Sequence, residues 1–306
     1  MNSQILPLPA NRLDLDISGP VEADRPMGVI LVDWGRITQE SAQRILDFQK
    51  KAGLPFGEAG IAMGLLTEED VRQVLSLQFG NARLPQDANF GKELVAAREP
   101  ETEAVEYLRA LRSQLMLRWF ENDARHAALA IVSPGSGEGR SYIAANLAVL
   151  FSQLGKRTLL IDADLRRPRQ HRIFGLPGRV GLSTVLSGRA GWEAVTEIKT
   201  LPDLWVLPAG AVPPNPQELL ARSGFSRLIA ALRSSYEVIL MDTPAASTCA
   251  DAGTVAARAG AALMLACRDR SSVPRLARLT EDLRQFGVTV VGAVLNGAPA
   301  NDVAYH

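Results

Sequence analysis

Six short apolar runs recur through residues 128–296: ALAIVS (128–133), RTLLID (157–162), LWVLPAG (204–210), EVILMD (237–242), GAALMLACR (260–268) and TVVGAVLN (289–296). A helical pattern separates most of them from the next. Continuous apolar runs bounded by turns suit strands buried on both faces, and such strands alternating with helices indicate an α/β fold with a mostly parallel sheet. Ligands in these sheets bind beyond the carboxyl ends of the strands. The informative residues are therefore expected just after each run.

After ALAIV comes Ser133-Pro134-Gly135-Ser136-Gly137-Glu138-Gly139-Arg140-Ser141, and then the helical YIAANLAVLFSQLG. A glycine-rich loop between strand and helix lets successive backbone N–H groups converge on phosphate oxygens, and the helix N-terminus adds positive potential. Ser141 would offer its hydroxyl to Mg2+. The alternative is an ordinary strand-to-helix turn. The next strand ends in Leu160-Ile161-Asp162-Ala163-Asp164-Leu165-Arg166-Arg167-Pro168. Carboxylates at i and i+2 leave a strand end on one face, where both can meet a metal or a nucleophile's proton. A helix cap or a solvated turn would use the same residues. A third strand ends in Met241-Asp242-Thr243-Pro244, with one carboxylate suited to holding Mg2+. Together the three motifs point to a nucleotide site.

These three motifs resemble those of the bacterial tyrosine autokinases, a branch of the P-loop NTPases, and within them the chain-length-determinant kinases of the EpsG type. Glu106-Tyr107-Leu108-Arg109-Ala110-Leu111-Arg112 is similar to the E-x-x-R-x-x-R helix through which those kinases form rings, which implies an oligomerisation role for Glu106, Arg109 and Arg112. Charge pairs along an exposed helix face would have the same spacing. The resemblance implies a three-layer αβα fold and an ATP-dependent tyrosine autokinase that regulates exopolysaccharide chain length, polymerisation or export. Mg-ATP would sit on Ser133, Gly135, Gly137, Glu138, Gly139, Arg140 and Ser141, with Asn296 near the adenine. Ser141, Asp164 and Asp242 would hold Mg2+. Asp162 or Asp164 would take the proton of the attacking tyrosine, and Arg140 stands where the family has its phosphate-loop lysine. The partner implied is a membrane-embedded polysaccharide chain-length regulator. The family's acceptor tyrosines lie in the C-terminal tail, and Tyr305 is the tail tyrosine here. The rival readings are a partition- or division-type positioning ATPase and a non-catalytic nucleotide-binding scaffold.

Nearer the N-terminus, residues 26–49 recur at 55–78 with an offset of 29: Pro26/Pro55, Gly28/Gly57, Gly35/Gly64, Ile37/Leu66, Thr38/Thr67, Glu40/Glu69, Leu46/Leu75 and Gln49/Gln78. Each copy reads as a short apolar helix, a glycine turn, an N-capping threonine and a second helix. The glycines, aliphatics and terminal glutamines resemble the tandem motif of the type II secretion ATPase N-terminal domain, some members of which bind cyclic di-GMP. That implies cyclic di-GMP as a candidate ligand, although the motif's leading arginine is replaced by Pro26 and Pro55. The expected organisation is a flexible lead (1–24), the repeat module (25–80), a linker (81–100), the kinase domain (101–296) and a tail (297–306).

Composition bounds the remainder. With 33 basic and 33 acidic residues the chain has no global attraction to nucleic acid or anionic lipid. The basic run at Arg166, Arg167, Arg169 and Arg172 lacks interleaved aromatic residues, so no nucleic-acid partner is expected. Cys249 and Cys267 are too few for a disulfide framework and read as buried free thiols. The N-terminal residues lack a signal-peptide pattern, and no apolar run approaches the ~18 residues of a membrane span. We therefore expect a cytoplasmic protein that is peripheral to the inner membrane through its partner.

Overall fold

The computed structural model describes residues 25–68, 70–71, 74–75, 89–123 and 126–298. The chain divides into two compact units, residues 1–83 and 84–306.

In the first unit the turn and cap bonds of the two copies correspond at the described residues. Gly35 N donates to Val32 O and Gly64 N to Ile61 O, both at 2.9 Å, and Arg36 N to Leu31 O and Leu65 N to Gly60 O, both at 3.0 Å. Thr38 caps the helix Gln39–Ala52 by accepting from Ser41 N, and Thr67 accepts from Asp70 N at 3.1 Å. These side chains satisfy backbone donors that the first helical turn leaves without partners. The short helices Met27–Asp33 and Phe56–Ala62 close a small core around Leu31, Ile45 and Ala59.

The second unit is built on one seven-stranded sheet: β1 (Ala128–Val132), β2 (Thr158–Asp162), β3 (Thr196–Glu197), β4 (Leu204–Leu207), β5 (Val238–Asp242), β6 (Ala261–Cys267) and β7 (Thr289–Asn296). Their order is β3-β4-β2-β5-β1-β6-β7, and all pairs are parallel except β3 with β4. All six expected runs form strands. The two-residue β3 carries no apolar run and was not legible in advance. β1, β2 and β5 are buried along their whole length, as strands covered on both faces require. Alternate residues feed opposite faces: Leu129 and Ile131 join one core, and Ala128, Ala130 and Val132 the other.

The helix Arg140–Gln153 lies on the first face, and eleven of its 14 residues are buried, so its apolar character all round is accounted for. The helix Glu103–Leu115 packs against it.

One boundary differs from expectation. The segment read as a linker over 81–100 is packed from residue 89 onward as part of the second unit. Leu94, Ala96 and Ala97 are fully buried, and the Asn146 side chain accepts from Ala96 N and donates to Glu93 O, both at 2.8 Å. Gly91 N donates to Ile173 O at 2.8 Å, and Phe90 meets Phe174 edge to face. Gly91, within the segment read as a linker, thereby joins the chain to the core. The cysteines also differ: both are unpaired, but each is half-buried. No helix among the described residues is long and apolar enough to cross a membrane.

Candidate functional site

Strand periodicity places the two central carboxylates. Asp162 and Asp242 end β2 and β5, are register partners, and share the parity of Leu160 and Leu240, which face the helix Arg140–Gln153. Both aspartates are fully buried. Asp162 Oδ2 accepts from Arg169 N at 3.0 Å and Gln170 N at 2.9 Å, and Oδ1 accepts from Asp164 N at 3.2 Å. Burial, reinforced by the neighbouring Asp242 charge, raises the Asp162 pKa well above the usual carboxylate range. Asp242 Oδ2 accepts from Gln170 Nε2 at 2.8 Å, while Asp242 Oδ1 is buried and has no hydrogen-bond partner. Burial pushes the Asp242 pKa up to about 6 against the opposing pull of Ser141, Gln170 and Arg140.

An orphaned carboxylate oxygen beside Ser141 fits a divalent cation, which would give that oxygen the partner it lacks. Among the described residues no group of three His, Cys, Asp or Glu side chains gathers around a metal. Mg2+ in nucleotide sites needs no such cage, because one or two protein oxygens, substrate phosphates and waters complete its shell.

The glycine loop connects β1 to the helix Arg140–Gln153. Gly137 and Gly139 have φ of 74° and 100°, a region costly for residues with a Cβ. A Cβ on Gly139 would also stand 2.2 Å from Asn296 Nδ2, so close approach reinforces the requirement. Ser133 is fully buried at the start of the loop. Arg140 is buried, and its guanidinium binds the loop: Nε donates to Thr243 O at 2.8 Å, and a terminal nitrogen donates to Gly135 O at 2.5 Å and to Ser133 Oγ. The Glu138 carboxylate accepts from Gly135 N at 2.6 Å and from Ser271 Oγ. Arg270 donates to Gly137 O at 2.7 Å, and Asn296 Nδ2 to Glu138 O at 3.1 Å. The carboxyl ends of β6 and β7 thereby grip the loop from one side.

The expected site residues Ser133, Gly135, Gly137, Glu138, Gly139, Arg140, Ser141, Asp162, Asp242 and Asn296 belong to this one region. Asp164 is half-buried just outside it, and its Oδ1 accepts from Arg166 N and Arg167 N, which caps the turn that follows. Glu106 and Arg109 form an ion pair on the helix Glu103–Leu115. Arg112 instead donates to Leu150 O at 3.1 Å, within its own unit. Tyr305 lies outside the described residues. In the first unit Arg25 pairs with Asp33, and Pro26 and Pro55 begin helices, so the cyclic di-GMP expectation gains no support there.

Sequence reasoning missed Gln170, whose amide bridges Ser141 O and Asp242 and whose N–H binds Asp162. Nothing local marks it. It also missed Arg270 and Ser271, which the strand-end rule could have flagged because they follow β6.

The second unit matches the family model described as the CobQ/CobB/MinD/ParA nucleotide binding domain over residues 129–302. The chain is 35% identical over 215 residues to EpsB of Ralstonia solanacearum, an alignment covering 70% of this chain and 28% of that protein. It is 33% identical over 206 residues to the tyrosine-protein kinase YwqD of Bacillus subtilis, covering 67% of this chain and 86% of YwqD. Among solved structures, the chimerical protein CapA2B2 aligns with a TM-score of 0.63 and 33% identity over 76% of this chain and 100% of that one. The chain thus spans 28% of the length of EpsB. By its parallel sheet, its glycine loop and these matches, the chain belongs to the bacterial tyrosine-protein kinases of the CobQ/CobB/MinD/ParA nucleotide-binding family.

Proposed function

We propose that the chain is an ATP-dependent protein-tyrosine autokinase that regulates exopolysaccharide chain length, polymerisation or export. The observation that carries this reading is the buried pair Asp162 and Asp242 at adjacent strand ends beside the glycine loop. The loop amides and the N-terminus of the helix Arg140–Gln153 receive the phosphates of ATP. Asp242 and Ser141 are the residues that would hold Mg2+, with Asp164 at the rim. Mg2+ when bound neutralises charge on the β- and γ-phosphates.

Asp162 is the proton acceptor. Its raised pKa makes it a stronger base than an exposed carboxylate once it is ionised. The tyrosine oxygen forms a bond to the γ-phosphorus, the bond to the β,γ-bridging oxygen breaks, ADP leaves, and the hydroxyl proton passes to Asp162. Catalysis of this kind is mainly positioning and charge stabilisation, to which Arg140 contributes by bracing the loop.

Tyr305 is the proposed acceptor, presented to a neighbouring copy. The ten residues that follow Asn296 reach at most ~35 Å when extended. A ring would use Glu106, Arg109 and Arg112, and the kinase would dock on a membrane-embedded chain-length regulator. The absence of a second lysine in the phosphate loop argues against a partition-type positioning ATPase.

The test is incubation with labelled ATP of the wild type, Asp162→Ala, Asp242→Ala and Tyr305→Phe. Label in the wild type that is lost in both aspartate variants supports the mechanism, and its loss in Tyr305→Phe assigns the acceptor. Equal incorporation in all four rejects the mechanism. No incorporation in the wild type favours the nucleotide-binding scaffold.

A further inference from the structure

Beyond the two carboxylates the chain turns through Arg166, Arg167, Pro168, Arg169, Gln170, His171 and Arg172. This turn forms one wall of a cleft of about 620 Å³, and Gly210 to Val212, which follow β4, help to form the opposite wall. The size suits a few residues of a peptide. Four arginines and one histidine line the cleft, and no acidic side chain does. The same turn holds the catalytic end of the sheet, since Arg169 N and Gln170 N bind Asp162, and Arg166 N and Arg167 N bind Asp164.

The arginines are not equivalent. Arg166 pairs with the buried Asp251 at 2.8 Å, and Arg169 with Glu93 at 2.9 Å. Arg167 and Arg172 are exposed and make no ion pair among the described residues. The local field is felt by His171, whose pKa is lowered by partial burial and by Arg172. A structural role alone would not need two uncompensated guanidinium groups on the wall of a cleft whose lining turn also binds Asp162 through Arg169 N.

We propose that this cleft seats the acceptor segment and selects one with an acidic side chain shortly before the tyrosine, as Asp302 stands three residues before Tyr305, with Arg167 and Arg172 as the specificity-determining residues. The proposal rests on the tyrosine-kinase reading above and names the substrate class for that site. Guanidinium groups bind carboxylates through paired, charge-assisted hydrogen bonds, so an acidic peptide would be held against the turn whose backbone binds Asp162.

The test is fluorescence anisotropy on the full chain with two labelled peptides. One has two glutamates among the residues just before a phenylalanine placed where the acceptor tyrosine would be, and the other has glutamines in place of the glutamates. Because phenylalanine cannot be phosphorylated, binding is read apart from catalysis. The acidic peptide is expected to bind about tenfold more tightly at low salt, with the preference fading as salt rises. Arg167→Ala/Arg172→Ala should abolish the preference, and Arg275→Ala/Arg278→Ala, which removes the same charge from a distant helix, should retain it. Equal binding of the two peptides, binding of neither, or a preference that survives in Arg167→Ala/Arg172→Ala overturns the proposal. Displacement of the acidic peptide by saturating Mg-ADP would assign the arginines to nucleotide phosphates and overturns it as well. If the tyrosine version of the acidic peptide binds but takes no phosphate from ATP, the kinase reading fails while the cleft assignment stands.

Discussion

Asp162 and Asp242 sit side by side in register on adjacent parallel strands, both fully buried, and burial raises the pKa of each. Ionising a buried pair costs the ligand-free fold stability, a trade common where strain or unpaired charge is kept at a functional site. The folded-state pKa of Asp242, about 6, lies above its unfolded value near 3.8. The folded protein therefore binds more protons than the unfolded chain between these values, and stability falls as pH rises through that window. Asp242→Asn should stabilise the nucleotide-free protein by about 1–3 kcal/mol at pH 7.5 and by little at pH 4. Denaturant titrations at the two pH values measure this, and an Asn variant less stable than wild type at pH 7.5 would count against the burial argument.

Asp162→Asn separates binding from chemistry. The amide keeps the shape of the side chain and its acceptor oxygen but cannot take a proton. Phosphoryl transfer should fall by about 10²–10⁴, the range of a general base, while nucleotide affinity stays within a few-fold of wild type. Single-turnover transfer and calorimetric nucleotide binding give the two numbers, and a parallel loss of both would mean that Asp162 shapes the site instead.

Arg140 donates at once to Thr243 O, Gly135 O and Ser133 Oγ, a set that a planar fork reaches and a single ammonium does not. Arg140→Lys should keep the charge and leave part of this set unpaired, lowering stability by about 1–3 kcal/mol. Arg140→Ala should lose in addition the cation beside the phosphates, with a further drop in nucleotide affinity. Thermal melts with and without Mg-ATP distinguish the two, and identical behaviour of both variants would rule out a phosphate role for the charge.

Asn146 ties residues 93–96 to the helix Arg140–Gln153 through two hydrogen bonds, one buried and one partly buried. Asn146→Ala should cost about 2–4 kcal/mol, since it strands a donor and an acceptor. A chain cut before Glu101 should be much less stable than one cut before Asn89, because the first removes Leu94, Ala96 and Ala97 from the core. Equal melting temperatures for the two truncations would mean that the segment is a linker after all.

In the repeat module, a Cβ on Gly60 would lie 2.4 Å from Leu66 Cδ1 and 3.3 Å from Ile45 Cδ1. Gly60→Val should destabilise the module by about 1–3 kcal/mol through overpacking. Amide exchange confined to residues 25–75 would report it, and unchanged protection there would refute the packing.

The strands, the phosphate loop, the two strand-end carboxylates and the tandem repeat were legible because each is written in local chemistry. Apolar runs, glycine spacing and threonine caps depend on a few consecutive residues. Gln170 and the Arg112 contact were not, because each depends on a partner far along the chain: Asp242 for Gln170 and Leu150 O for Arg112. The linker reading failed for a related reason. Gly91 and Pro100 signal turns, but whether a turn lies free or folds onto a core depends on what the rest of the chain offers it, here Ile173 O and the Asn146 amide.

By itself the sequence determined that the chain forms an α/β nucleotide-binding unit and a helical repeat, since periodicity and loop chemistry act over short spans. Only the tertiary structure decided that Asp162 and Asp242 become a buried pair with raised pKa values, that Arg140 turns inward to brace the loop, and that the arginines after β2 line a cleft. Desolvation and close charge are properties of neighbours in space. Those neighbours are set by sheet order, which lays β2 beside β5 although β3 and β4 lie between them in the chain, and no local run of residues encodes that pairing.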